Sequence, residues 1–277
     1  MQIHHKTPFN WGYTPLITRS GATADMLMEF GVLRLAPDET FEAYSKTDEA
    51  VFLLAGGDAI INVGQDGSRE ISRPNLFDHS PWCLSIPSHR QITIGAGEEG
   101  AEFYYCATKN TNQFDLKLYT PEDCRSEFRG ERTLRETSTR IVRTIFDDIN
   151  HPDSNLVIGE VIGVPGKWSG YPPHHHPQPE ISHYRFLPGQ GFGLMAVGDT
   201  PYIIQDKDTI LIREGEIHPQ VTAPGYAMWY LWVIRHPEGA RYGPATNTPL
   251  FIDDHLWAIG DENTIWRPEK GAAQNPV

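Results

Sequence analysis

Residues 171–186 read YPPHHHPQPEISHYRF, and the interpretation of the whole chain starts from this stretch. His174 and His176 are two positions apart, and Glu180 follows four residues later. In an extended strand the side chains at positions i and i+2 point to the same face, so both imidazoles can face one point. The prolines between the second histidine and the glutamate disfavour a helix and favour a turn that brings in the carboxylate.

A fourth candidate ligand, His218, lies far along the chain in the sequence REGEIH, residues 213–218. Three imidazoles and one carboxylate suit a divalent Zn, Mn, Fe, Ni or Co ion and leave coordination positions open for a substrate. The alternative is an exposed, proline-rich turn that happens to contain histidines. The glutamate at ligand spacing and the distant histidine favour a metal site, although the ligand types leave the identity of the metal open.

Composition limits the classes of partner. The chain has 277 residues, 39% of them hydrophobic, and a formal net charge of −13. A sizeable core can form, and the negative charge argues against nucleic acid and membranes as partners. Three cysteines without a CxxC motif are typical of a reducing compartment, and neither a signal segment nor a membrane-length apolar run is evident. We therefore expect a cytoplasmic protein that acts on a small molecule.

Short apolar strands separated by Gly, Pro and Asp turns run through most of the chain, which predicts an all-β protein. Two strand series of similar layout form a weak internal repeat. We expect an N-terminal barrel without a metal site over residues 1–120, an arginine-rich connector over 121–154 and a C-terminal barrel with the metal site over 155–277. The first residues, to about Asp25, are expected to form an arm or a short edge strand.

Both histidine motifs resemble those of the cupin superfamily. HHHPQPE at residues 174–180 resembles its first motif, and REGEIH at residues 213–218 resembles its second, with Arg213 in place of the usual proline. Further segments, among them WSGYPPH from Trp168, resemble the 5-deoxy-glucuronate isomerase family of inositol catabolism, which is similar to 5-keto-4-deoxyuronate isomerase. The resemblance covers most of the chain and is strongest over residues 155–257.

This resemblance implies a bicupin, with two jelly-roll β-barrels in one chain. The metal would lie inside the second barrel, held by His174, His176, Glu180 and His218. The implied activity is that of a metal-dependent aldose–ketose isomerase, which moves a proton between adjacent carbons through an enediolate whose charge the metal stabilises. The substrate would be a uronate-like sugar acid such as 5-deoxy-D-glucuronate, converted to 2-deoxy-5-keto-gluconate.

The sequence leaves several alternatives open. The segment Pro177-Gln178-Pro179 is shorter than the family's acidic insertion between the second histidine and the glutamate, so the exact sugar is not determined. An Fe-dependent cupin dioxygenase could use the same ligand set, and a non-enzymatic sugar-binding bicupin would need no turnover. Bicupins often associate through sheet edges or N-terminal arms, so a homodimer or a higher homo-oligomer is also open.

His183, three residues beyond the glutamate, is the candidate acid–base group, because an unperturbed histidine pKa of about 6.5 suits proton transfer near neutrality. Tyr171 and Tyr184 are candidate catalytic residues in the cavity wall, with core packing as the alternative. Arg185 and Arg140 are candidates for binding the substrate carboxylate, since a guanidinium can do so through two hydrogen bonds. The alternative for these arginines is a surface ion pair or a solvated connector.

Overall fold

The computed structural model describes residues 1–62, 67–243 and 248–268. Antiparallel β-strands dominate it, which confirms the all-β prediction. The strands, in chain order, are β1 (Gln2–Ile3), β2 (Gly12–Ile17), β3 (Met28–Leu35), β4 (Thr40–Ala43), β5 (Asp48–Asn62), β6 (Ser68–Arg73), β7 (Cys83–Ile86), β8 (Ile92–Lys109), β9 (Lys117–Tyr119), β10 (Arg125–Arg129), β11 (Arg140–Phe146), β12 (Leu156–Gly163), β13 (Trp168–Ser169), β14 (His174–His175), β15 (Glu180–Leu187), β16 (Phe192–Val197), β17 (Thr200–Gln205), β18 (Thr209–Ile212), β19 (Gln220–Thr222), β20 (Ala227–Arg235) and β21 (Leu250–Phe251). The helical segments are the α-helix α1 (Asp253–Gly260) and the 3-10 turns Gly21–Met26, Leu134–Glu136 and Glu262–Thr264. In the part of the chain that the structure describes, no helix is both long enough and apolar enough to cross a membrane.

The first half of the chain forms one eight-stranded sheet with the order β2-β3-β8-β5-β7-β9, in which β4 pairs with β8 and β6 with β5. The two longest strands, β5 and β8, change partners along their length, and the register of β5 shifts on both sides of Gly57. Gly57 has a φ of +88°, and a Cβ there would lie 2.1 Å from the carbonyl oxygen of Gly100. Glycine is therefore required where these strands approach each other.

The second half contains two main sheets and the two-stranded sheet β14-β21. The larger has the order β1-β18-β15-β20-β12-β11-β10, and the smaller has the order β13-β19-β16-β17. Between them lies an apolar core that includes Tyr184, Phe186, Met195, Ile210 and Met228. The first half has its own enclosed core, and its buried side chains are apolar, among them Leu33, Phe52, Leu84, Ile94 and Phe103.

A third core joins the two halves. It includes Phe30 and Tyr104 from the first half and Ile158, Ile181 and Trp229 from the second. The strands β12, β15 and β20 therefore bury both faces: alternate side chains point into the second half's own core and toward the first half.

Strands from the predicted N-terminal segment and from the predicted connector join the larger second-half sheet. Strand β1, at the N-terminus, pairs with β18 of the larger second-half sheet, as expected for an edge-strand arm. Strands β10 and β11, from the predicted connector, extend the same sheet next to β12. The boundaries at residues 120 and 154 stay a prediction, and the last nine residues of the third segment lie outside the described residues.

A buried ion cluster also links the halves. Arg73 of the first half places Nη2 at 2.8 Å from Glu160 Oε1 and 2.9 Å from Oε2, and both side chains are fully buried. Arg143 places Nη1 at 2.8 Å from Glu160 Oε1. Both guanidinium groups also donate to the backbone carbonyl of His79. Arg143 is thus paired with Glu160.

Candidate metal centre

Three of the four predicted ligands converge at one end of the second-half core. His176, Glu180 and His218 are buried, and each offers one ligand atom within 4.8 Å of the other two. His176 Nε2 lies 3.0 Å from Glu180 Oε2, and His218 Nε2 lies 3.7 Å from the same oxygen. Glu180 is held in place as the first residue of β15, which is paired on both sides, with β18 and β20.

The backbone fixes the orientation of the imidazoles. His176 donates its Nδ1–H to the carbonyl of Gln178 at 2.9 Å, and His218 donates to the carbonyl of Glu216 at 2.9 Å. Each Nδ1 therefore carries a proton, and each Nε2 faces the Glu180 carboxylate, so that in the neutral tautomer its lone pair points there. Acceptors this close repel each other unless a cation lies between them, so the donor set fits a divalent metal ion.

The ionisation of these groups favours the same arrangement. Burial lowers the pKa of His218, which keeps its ring neutral. Burial alone would raise the pKa of Glu180, but the close contacts with His176 and His218 outweigh this effect and lower the pKa. A neutral imidazole and an ionised carboxylate are the forms that coordinate a metal.

His174 lies at the rim of this cluster. Its ring centroid is 4.8 Å from that of His218, and its Nδ1–H donates to the carbonyl of Pro172 at 3.3 Å. Burial, followed by the proximity of His218, lowers the pKa of His174 to about 3. Strand β14, which carries His174, pairs with β21, and Phe251 of β21 packs against the imidazole. The fourth predicted ligand is thus neutral and adjacent, but outside the group of three.

A cavity of about 390 Å³ opens beside these residues, and His174, Glu180 and His218 form part of its wall. Tyr171, one of the predicted catalytic residues, also lines it. So does Tyr242, whose ring meets that of His176 edge to face at 5.2 Å and whose pKa is raised by burial. Tyr242 lies in a loop after β20 and carries no motif that would have indicated its place in the cavity.

Arg140, a predicted substrate-binding residue, lines the same cavity. It donates to the backbone carbonyl of Ser138 at 2.7 Å, and no ion pair with another described residue forms. Burial lowers the pKa of its guanidinium from a very high ordinary value, so the group keeps its charge. Tyr230 also lines this cavity, and its hydroxyl lies 2.6 Å from the Ser169 hydroxyl. These residues give the cavity wall a guanidinium without a carboxylate partner among the described residues and a pair of hydroxyl groups.

His183 lies outside the cavity. It follows the alternation of β15 and points toward the first half, where it is fully buried against Phe30 and Tyr104. Its Nδ1 is 2.9 Å from Thr209 Oγ1, and Nε2 has no hydrogen-bond partner among the described residues. This position does not support the predicted acid–base role, because the imidazole cannot reach a substrate beside Glu180.

Two other predicted residues lie away from the cavity wall. Tyr184 points into the second-half core, where its hydroxyl donates to Met195 Sδ at 3.2 Å. Arg185 points toward the first half and pairs with Asp206 at 3.0 Å and Glu102 at 3.3 Å. For both, the alternative interpretation fits the structure better: Tyr184 is a core residue, and Arg185 belongs to an ion-pair network.

The fold and the site together define an all-β protein of the cupin-like class with a candidate metal centre in its second half. The chain belongs to the KduI/IolB family, whose model matches residues 3–257. An IolB-like protein from Salmonella typhimurium LT2 has a similar structure, with a TM-score of 0.76 and 20% identity over 93% of this chain and 98% of that one. The Lactobacillus farciminis oxalate decarboxylase is similar in fold at a TM-score of 0.61 and 13% identity, over 86% and 85% of the two chains.

Curated relatives agree on the class of reaction. The 5-deoxy-glucuronate isomerase of Geobacillus kaustophilus is 28% identical over 87% of this chain and 89% of its own length. That of Bacillus subtilis is 27% identical over 76% and 82%. With the family membership, these relatives identify the chain as an isomerase of the intramolecular oxidoreductase class, as predicted. The dioxygenase and the non-enzymatic binding protein are thereby disfavoured.

Removing one ligand tests the metal centre. The variant His176→Ala should lose bound divalent metal, measured by elemental analysis after loading and desalting, and should lose turnover, because one of three converging donors is gone. The matched control is His175→Ala, the next residue in the chain, which is outside the converging group and should keep its metal. Full metal content in the His176 variant would show that the ligand assignment is wrong.

His183 should influence stability against acid. Burial lowers its pKa to about 3 in the folded chain, whereas an unfolded histidine titrates near 6.5. The unfolded chain therefore binds the proton first as the pH falls, and stability present above pH 6.5 is lost between about pH 6.5 and 3, by up to about 1.4 kcal/mol per pH unit. His183→Gln should flatten this acid dependence in urea unfolding and leave kcat unchanged. A large fall in kcat in a folded variant would restore His183 to the mechanism.

Proposed function

We propose that this isomerase depends on a divalent metal and acts on a uronate-like sugar acid, with 5-deoxy-D-glucuronate as the first substrate to test and 2-deoxy-5-keto-gluconate as its product. One observation carries the proposal: a single cavity combines the oriented imidazole–carboxylate cluster with the guanidinium of Arg140, which has no carboxylate partner among the described residues. The names of the curated relatives support the choice of sugar.

His176, Glu180 and His218 would hold the metal, with His174 as a fourth ligand at the rim. When bound, a divalent Zn, Mn, Fe, Ni or Co ion supplies Lewis-acid stabilisation of the negative charge that develops on sugar oxygens. The chain's own contribution is orientation. The Nδ1–H bonds to backbone carbonyls keep the imidazoles aimed at one point, so no reorganisation is needed when the substrate enters.

Arg140 would bind the carboxylate of the sugar acid. The group lies in the cavity wall, and its fixed fork of donors suits two parallel bonds to a carboxylate. The substrate carboxylate would also compensate the charge of the Arg140 guanidinium, which is half-buried and has no carboxylate partner among the described residues. Anchoring one end of an open-chain sugar acid fixes which carbons lie next to the imidazole cluster, and this selects the reacting pair of carbons.

Proton transfer between adjacent carbons, through an enediolate, needs groups that hold protons at the substrate oxygens. Tyr171 and Tyr242 are two phenols in the wall of the cavity, and Tyr242 packs against His176. Because burial raises the pKa of Tyr242, its hydroxyl stays protonated at neutral pH and can donate a hydrogen bond to a sugar oxygen. Apolar side chains such as Val142 and Trp232 line the same wall.

The reaction itself is the first test. The metal-loaded enzyme, incubated with 5-deoxy-D-glucuronate in D2O, should produce the keto sugar acid in NMR spectra, with deuterium entering the carbon next to the carbonyl because the proton exchanges with solvent during transfer. Treatment with a chelator should abolish the conversion, and added divalent metal should restore it. Consumption of O2 without keto acid would instead indicate the dioxygenase. No conversion by a sample with its metal would reject this sugar.

The carboxylate site is tested by Arg140→Gln, which keeps a polar side chain but removes the charge. Loss of a hydrogen bond between charged groups, worth about 1.5–3 kcal/mol, should lower kcat/KM roughly ten- to hundredfold, mainly through KM. The control is Arg132→Gln, an exposed arginine of the same segment that does not line the cavity. If both variants behave like the original enzyme, the carboxylate binds elsewhere.

A further inference from the structure

Gln220 is a buried glutamine that sequence reasoning missed. It is the first residue of β19 and pairs with Ser169 on one side and Met195 on the other. Its side chain is 2% exposed and forms part of the wall of the substrate cavity. The strand alternation supports this orientation: Gln220 and Thr222 are buried, whereas Val221 between them is only half-buried.

The carboxamide of Gln220 has an unfilled hydrogen-bonding capacity. Its Oε1 is buried and has no hydrogen-bond partner among the described residues. Buried polar groups in proteins are nearly always paired, because an unmade hydrogen bond is costly. Gln220 lies in the cavity wall, and no donor among the described residues bonds to its Oε1. Its carboxamide is therefore suited to form a hydrogen bond with a group that enters the cavity.

Its place along the cavity indicates which part of a ligand it would meet. His218, a candidate metal ligand, precedes Gln220 by two residues. On the other side, its register partner Ser169 contacts the Tyr230 hydroxyl, which shares the cavity wall with Arg140. Gln220 thus lies between the imidazole cluster and the part of the wall that carries Ser169 and Tyr230.

We propose that the Gln220 carboxamide binds a hydroxyl group in the middle of an open-chain sugar acid and so determines specificity for polyhydroxy acids. The inference deepens the proposed function and rests on it for the identity of the substrate. A carboxamide both donates and accepts, as does a hydroxyl, so the two groups are complementary, whereas a carboxylate would only accept. A site built this way rejects analogues that lack the hydroxyl, since its own polar group is then left unpaired.

The test replaces the carboxamide and keeps its volume. In the metal-loaded enzyme, Gln220→Met should weaken binding of D-gluconate, a polyhydroxy acid with no carbonyl to isomerise, roughly five- to tenfold by isothermal titration calorimetry. KM for 5-deoxy-D-glucuronate should rise by a similar factor, with metal content and melting temperature maintained. For an analogue that lacks the middle hydroxyls, such as hexanoate, the variant should bind no more weakly than the original enzyme.

The control is Thr222→Val, the next inward-facing residue of β19, which lies outside the cavity wall and bonds to the carbonyl of Tyr226. It should leave gluconate affinity unchanged, which would separate hydroxyl recognition from a general disturbance of the strand. Unchanged affinity in Gln220→Met, or no gluconate binding by the original enzyme, would overturn the inference. Gluconate binding that depends on Gln220 without turnover of 5-deoxy-D-glucuronate would support it and reject only the proposed substrate.

Discussion

The structure depends on one constraint: the central strands of the larger second-half sheet, β12, β15 and β20, are buried on both faces. Because side chains alternate along a strand, each of these strands must supply two different surfaces. In β15, Glu180 and Tyr184 point into the second half, while Ile181 and His183 point toward the first. The same alternation in β11 places Arg140 in the cavity wall and Arg143 in the ion cluster between the halves. A shift of one residue in register would exchange the two sets.

The ion cluster shows how the two halves are held in one arrangement. A carboxylate with no exposed surface, Glu160, is compensated by Arg73 from the first half and Arg143 from the second. Burying these charges is costly, so the cluster is better understood as a device that specifies how the halves meet than as a large source of stability. Since Arg143 and Arg140 share β11, the contact that joins the halves also fixes the strand that lines the cavity.

Within the site, the backbone rather than other side chains orients the ligands. The carbonyls of Gln178 and Glu216 lie two residues from His176 and His218, so short-range loop geometry determines which imidazole nitrogen faces Glu180. The first half has no comparable arrangement among its described residues, and its enclosed core is filled with apolar side chains instead. The converging candidate ligands therefore all come from the second half, and the first half packs against the back of the shared sheet.

The sequence by itself determined the all-β class, the isomerase family and the candidate ligands, because these depend on local signals: turn residues, strand-length apolar runs and the spacing of His174, His176 and Glu180. The tertiary structure alone decided which polar residues share the cavity. His183 and Arg185 are close to Glu180 in sequence but belong to the opposite face of β15, and that face is buried by the other half of the chain rather than by the substrate cavity. Gln220 and Tyr242 reach the cavity through strand pairing and a loop that no local pattern indicates, since contacts between distant residues are set by how sheets stack and not by neighbours in sequence.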